Sequence, residues 1–235
     1  FIFKRKLFFS IGIILIGGIT IFFLKSYLLY VLLPCLFIWV QANFKLLISN
    51  TLLRVLLKPF FILFLVVIGA ILFQRISDSA GKYSSEKIEK TLVGFQSWHE
   101  YLAETRDQSG YTLGEVDFTP LGILKKAPAA LNVTFFRPYL WEVRNIPTLL
   151  GAIEGLILFF YFFYLLVTLR WAFFRIIFKN KEVFFLIMFA IVFSIVVGIS
   201  SYNFGALSRY KIPAVMFFLL SLIIIQQVKK EKSLS

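Results

Sequence analysis

The chain holds 235 residues, of which 60% are hydrophobic, 16% are charged and 30 are phenylalanine. A soluble domain is about 45–50% apolar, so one soluble core cannot hide this excess and lipid must solvate much of it. The net charge of +13 would suit nucleic acid, but the excess flanks apolar runs, which points to membrane orientation and excludes nucleic acid as the expected partner.

The sequence opens FIFKRK without Met and reads as a fragment or processed piece, with further helices expected before Phe1. No small-residue cleavage site follows, so no signal peptide is expected. The first predicted span is Leu7–Leu24, where Gly12, Gly17 and Gly18 permit close helix approach. Lys25–Tyr27 leaves room only for a tight turn. The second span, Leu28–Val40, contains Pro34, a kink site, and Cys35. As the sole cysteine, Cys35 excludes an intrachain disulfide. Gln41–Lys58 mixes Leu and Ile with Lys45, Arg54 and Lys58 and reads as an interfacial helix or, alternatively, as a polar span over Phe44–Leu57. Pro59 then opens a third span, Pro59–Phe73.

Residues 74–150 form the one long polar segment, with nine Lys/Arg balanced by nine Asp/Glu. Ile88, Leu92, Phe95, Trp98 and Leu102 share one face of an amphipathic helix over Ser85–Arg106. Gly110–Lys126, with Gly114, Pro120 and Gly122, reads as turns and loops. Ala127–Gly155 sets Arg137, Glu142 and Arg144 among Phe135, Phe136, Tyr139 and Trp141. Aromatic rings with polar edges favour the membrane–water boundary, so this stretch reads as a surface-lying or partly re-entrant lip over a helix bundle. The fourth to sixth spans are Gly151–Leu169, Val183–Ser200 and Ile212–Val228.

The predicted fold is therefore all-α: a polytopic membrane bundle of about six transmembrane helices with one extracytoplasmic helix-and-loop segment. Residues 1–73 carry three spans, 74–150 the external segment, and 151–235 three more spans with a tail. With both termini in the cytoplasm, segments 1–6, 41–58, 170–182 and 229–235 carry 13 basic residues, against Lys25, Arg209 and Lys211 in the short external loops. That asymmetry follows the positive-inside rule, with the inner (plasma) membrane as the expected location.

Chemistry is expected at two external basic stretches, Arg137–Arg144 and Asn203–Lys211. Arg grips phosphate oxygens in a two-pronged way, so Arg209 and Lys211 are candidates for a lipid-borne phosphate. Equally, they read as snorkelling cations on ordinary headgroups. Glu154 is expected about one turn inside the fourth span. An ionisable residue there is a functional candidate, or a structural partner of Arg144 or Arg209. Glu115 and Asp117 could share a divalent ion or form a solvated loop. His99 lacks partners at metal spacing, and no metal site is assigned. Asn132-Val-Thr134 matches a glycosylation acceptor. Nucleotide-binding, zinc-protease and Ser–His–Asp patterns are absent from the sequence, and the cofactor is left unassigned.

SYNFGALSRYKIPAVMFFLL, residues 201–220, resembles the N-x-G-x-L-x-R-[YQ]-[RK]-x-P opening of a late helix in bacterial multi-pass proteins of cell-surface polysaccharide assembly. FFRPYLWE, residues 135–142, resembles the RPFPWE segment that accompanies it, and RYKIP resembles the RYRxP stretch of multi-pass glycosyltransferases that use polyprenyl-phosphate sugars. The resemblance covers about 20 residues. It implies handling of a polyprenyl-diphosphate-linked saccharide outside the cytoplasm, by a glycosyltransferase or polymerase. Arg137, Arg144, Arg209 and Lys211 would bind substrate, and Glu142 or Glu154 would serve as acid or base. Arg144 and Gly155 also fit an R-x10-G spacing of polymerases. The chain departs from the glycosyltransferase pattern in one respect: the first external loop has no acidic residue. A flippase subunit and a non-catalytic scaffold are the rival expectations.

Overall fold

The structure is a computed structural model that describes residues 7–47, 51, 52, 56, 59, 94, 110–114, 116, 117 and 119–234. The expected third span beyond Pro59, the Ser85–Arg106 helix (apart from Gly94), His99 and Glu115 lie outside the described residues. The chain divides into two compact units, Phe1–Ser79 and Ala80–Ser235.

In the first unit, α1 runs from Leu7 to Leu47. The expected three-residue turn is reduced to Lys25, whose φ of −151° and ψ of 70° interrupt the helix. Beyond it the helix passes through Pro34 and continues past Val40 to Leu47, taking in the start of the stretch assigned to the interface. Asn43, buried in this helix, satisfies its amide by donating to the Trp39 carbonyl at 3.0 Å.

Among its described residues the second unit is built of helices joined by short non-helical stretches, with one isolated antiparallel bridge between Gly110 and Asn203. Its helices are α2 (Pro120–Phe136), α3 (Ile146–Leu169), α4 (Trp171–Lys179), α5 (Lys181–Ser201), α6 (Phe204–Tyr210) and α7 (Ile212–Leu234), with a 3₁₀ turn at Leu140–Glu142. Among the described residues, three stretches are long and apolar enough to cross a membrane: Ile146–Leu169, Lys181–Ser201 and Ile212–Glu231. At 1.5 Å per residue, 20 residues span about 30 Å, the thickness of a bilayer's hydrocarbon core. The expected fourth to sixth spans thus correspond to α3, α5 and α7.

Helix α5 is the centre, packed against α2, α4, α6 and α7. Phe189, Ala190, Phe193 and Ser194 on it are completely buried. The flanking helices bury one side and leave Phe160, Tyr164, Val167 and Met216 exposed, apolar surface that lipid can cover. Tilted ring pairs such as Phe135 with Phe218 at 4.5 Å and Phe189 with Phe217 at 4.3 Å tie the bundle together. Pairs of this geometry add about 0.5–1.5 kcal/mol beyond the area they bury.

The sequence-level loop over Gly110–Lys126 is corrected in its second half, because α2 begins at Pro120. Proline suits a helix start, where its missing N–H is no loss. Thr119 caps the helix by accepting from the Gly122 amide at 3.1 Å, and Asp117 holds Thr119 through its amide (2.9 Å) and hydroxyl (2.7 Å). Pro128 lies on the exposed side of the same helix, where an unbonded carbonyl can be hydrated.

Helix α2 is re-entrant. Its Ala130 meets Gly198 near the end of α5, and Thr134 donates to the Ser194 carbonyl at 2.9 Å, about 6 Å further in. Phe136 reaches Gly155 and Phe159 of α3, about 14–20 Å from that helix's start. The chain then climbs back: Pro138 touches Gly151, and Asn145 caps α3 by accepting from the Thr148 amide at 3.0 Å. Of the two readings of the lip, these contacts support the re-entrant one.

Two glycines make the entry possible. A Cβ on Gly198 would lie 2.6 Å from the Ala130 carbonyl oxygen, and one on Gly155 would lie 2.9 Å from that of Phe136. Only a residue without a side chain lets the backbones approach so closely.

Candidate functional site

Two charge pairs occupy the re-entrant end of the bundle. The first closes the turn after α2. Arg137 donates through Nε to Glu142 Oε2 at 3.0 Å and through Nη2 to Oε1, a two-pronged grip. The Tyr139 amide adds a third donor to Glu142 at 2.8 Å. The guanidinium also faces the rings of Phe204 (5.2 Å), Tyr111 (5.6 Å) and Tyr139 (5.9 Å). Partial burial pushes the Glu142 carboxyl upward, but its hydrogen bonds from Arg137 and Tyr139 and the charge of Arg137 hold it below the usual carboxylate range. Glu142 is therefore an ionised anchor for the turn, with both oxygens engaged, and a poor proton donor.

The second pair is built differently. Lys211 caps the C-terminus of α6, its amide donating to the Leu207 carbonyl at 2.8 Å. Its side chain is 1% exposed and its Nζ has no hydrogen-bond partner among the described residues. The nearest opposite charge is Glu154 Oε2 at 3.9 Å, on a side chain that is 50% exposed. A buried ammonium with so weak a partner is costly, because water has been removed and little has replaced it.

Helix α3 starts five residues before the predicted span. Glu154 therefore lies two turns inside it rather than one, and its partner is Lys211 rather than Arg144 or Arg209. Arg209 is exposed, with Nε folded back onto the Gly205 carbonyl at 3.2 Å. Arg144 is exposed, and its amide donates to Thr148 Oγ1 at 3.3 Å. Among the six candidates, the structure joins Arg137 with Glu142 and Glu154 with Lys211.

Several motif residues acquire local structural roles. Asn203 caps α6 by accepting from the Gly205 amide at 2.7 Å and the Ala206 amide at 3.3 Å. Leu207 is buried, and Pro213 stands in the first turn of α7. The glycosylation reading is corrected. Asn132 lies within α2, exchanging hydrogen bonds with the Tyr139 hydroxyl at 2.8 and 3.0 Å, and Thr134 is completely buried. Asp117 is engaged by Thr119, whose hydrogen bonds lower its pKa, so its carboxylate serves the start of α2.

Sequence reasoning missed Tyr111. This buried residue donates its hydroxyl to the Gly198 carbonyl at 2.9 Å and its amide to the Tyr202 carbonyl at 3.0 Å. Burial raises the phenol's pKa, keeping it a neutral donor. It joins the polar segment to the end of α5 and presents its ring to Arg137. A lone tyrosine in a loop carries no periodic signal that could have marked it.

No protein-family model matches the chain, and no curated protein or solved structure matches it. The fold and the three apolar helices define a helical protein of membrane-spanning character.

Proposed function

We propose that the chain is an integral membrane protein of cell-envelope polysaccharide biosynthesis. It handles a polyprenyl-diphosphate-linked saccharide on the extracytoplasmic face, as a glycosyltransferase or polymerase. The observation that carries this reading is the buried, unbonded ammonium of Lys211 beside the half-exposed Glu154. A phosphate oxygen replacing Glu154 would supply the strong charge-assisted hydrogen bond that Lys211 lacks. Glu154 then acts as a displaceable counter-ion, and Arg209, exposed two residues before Lys211, would meet the outer part of a headgroup. Arg137 supports the turn rather than the ligand, because Glu142 already occupies its fork.

A translocating subunit is the second reading, favoured by α2: half-helices that end inside a bundle are a recurring feature of transporters. The two readings share the ligand and differ in whether the saccharide is extended or moved.

The test is native mass spectrometry of the protein extracted from its own host in mild detergent. Wild type is expected to carry a polyprenyl-diphosphate saccharide, and K211M to lose it. Equal retention by K211M, or only bulk phospholipid on wild type, overturns the proposal. Lipid vesicles holding the protein then separate extension from movement.

A further inference from the structure

An open cleft lies at the opposite end of the bundle, where α4, α5 and the end of α7 meet. It encloses about 320 Å³ and is lined by the cations Arg175, Lys179 and Lys181. Glu182 is the one acidic residue in the lining, so the cleft carries a net charge of about +2 from these four groups. Ile176 and Val228 give it an apolar floor. Asn180 also lines it, but its side chain is occupied in capping α5, accepting from the Glu182 and Val183 amides at 3.0 and 3.1 Å. The cleft's attraction for an anion therefore comes from its side-chain cations.

A second observation fixes the kind of anion. Helix α4 buries Phe173, Ile176 and Ile177 and exposes Trp171, Phe174 and Phe178. The exposed three sit at i, i+3 and i+7, which is one face of the helix. Trp171 is 82% exposed and Phe178 73% exposed. An aromatic stripe beside a basic cleft is the pattern of a helix lying in the headgroup region, with rings among the upper acyl chains and cations at the phosphates.

We propose that this cleft is a binding site for the phosphodiester headgroup of an anionic phospholipid. Arg175 and Lys179 hold the phosphate, and the stripe on α4 lies along the acyl chains. Arg175 is the fork that can take two oxygens, and Lys179 and Lys181 act as point charges. The site is independent of the Glu154–Lys211 pair and stands if that pair has another role.

The experiment is native mass spectrometry of the full chain in detergent, titrated with phosphatidylglycerol or phosphatidylcholine of matched acyl chains. Wild type is expected to retain phosphatidylglycerol several-fold more than phosphatidylcholine. R175Q/K179Q is expected to lose that preference. Arg175 and Lys179 are exposed, so the change is not expected to disturb the fold, and a thermal melt in detergent verifies this. K229Q/K230Q removes the same charge near the end of α7, outside the cleft lining, and is expected to keep the preference. Equal retention of the two lipids by wild type, or equal losses in the two double variants, overturns the proposal. Inorganic phosphate is expected to compete weakly. If millimolar phosphate displaces the lipid fully, the site is one for a free anion and the lipid assignment fails.

Discussion

Arg137–Glu142 and Glu154–Lys211 lie at the same end of the bundle and contain the same kinds of charge, yet they are built on opposite principles. In the first, the carboxylate receives three donors and the guanidinium faces three rings. In the second, an ammonium is buried with a single charge 3.9 Å away. Satisfied charges hold a structure together, whereas an unsatisfied buried charge costs stability and is retained where it has another use. The difference separates the turn that holds the re-entrant helix from the group available to a ligand.

The comparison breaks most completely at Gly198. Replacing it with Leu drives a side chain into the Ala130 carbonyl and Thr134, at a cost of about 3 kcal/mol. Since α2 leads directly to Arg137, both the melting temperature in detergent and the Arg137–Glu142 turn should be lost together. A wild-type melt in this variant would mean that α2 does not depend on this contact.

R137M and K211M test the contrast itself, because they should differ in sign. R137M leaves Glu142 without its main partner and is expected to cost about 2 kcal/mol. K211M removes a charge that was poorly paired, and is expected to be neutral or stabilising by about 1 kcal/mol while abolishing ligand retention. Equal destabilisation by both would show that Lys211 is as structural as Arg137. E154Q sharpens the same point: without the competing carboxylate, a phosphate ligand should be retained more strongly than in wild type. Weaker retention would make Glu154 part of the binding group rather than a counter-ion.

The smallest effect is in pH. The folded Glu142 has a lowered pKa, so its contribution is present above its unfolded value and fades as pH falls through the folded one. Melting temperature in detergent should decline below about pH 5, and the decline should be shallower in E142Q. Identical profiles would remove Glu142 as a source of acid sensitivity.

The three apolar helices were legible because stretches of about 20 predominantly apolar residues have few alternatives to a span. The charges at 137, 142, 154 and 211 were also visible, since charge is rare beside such runs. Their pairing was not. It depends on where α3 starts, which Asn145 and Thr148 settle through a cap six residues upstream of the predicted span. Helix α2 was hidden because Pro120, Gly122 and Pro128 each read as a breaker. In the fold, one starts the helix, one fits against Asp117 and one faces outward. Gly198 looked like an ordinary small residue in a span, and its importance rests on a helix 60 to 70 residues away in sequence.

The re-entry of α2 has a consequence for orientation. A segment that goes in and comes out by one end adds nothing to the parity of crossings. If α3, α5 and α7 each cross once, Thr119 and Asn145 face the same compartment and Lys229 faces the other. Counting the 17 residues of α2 as a further crossing would instead put Thr119 and Asn145 in opposite compartments. A tag placed on either flank of α2 is therefore accessible from the same side.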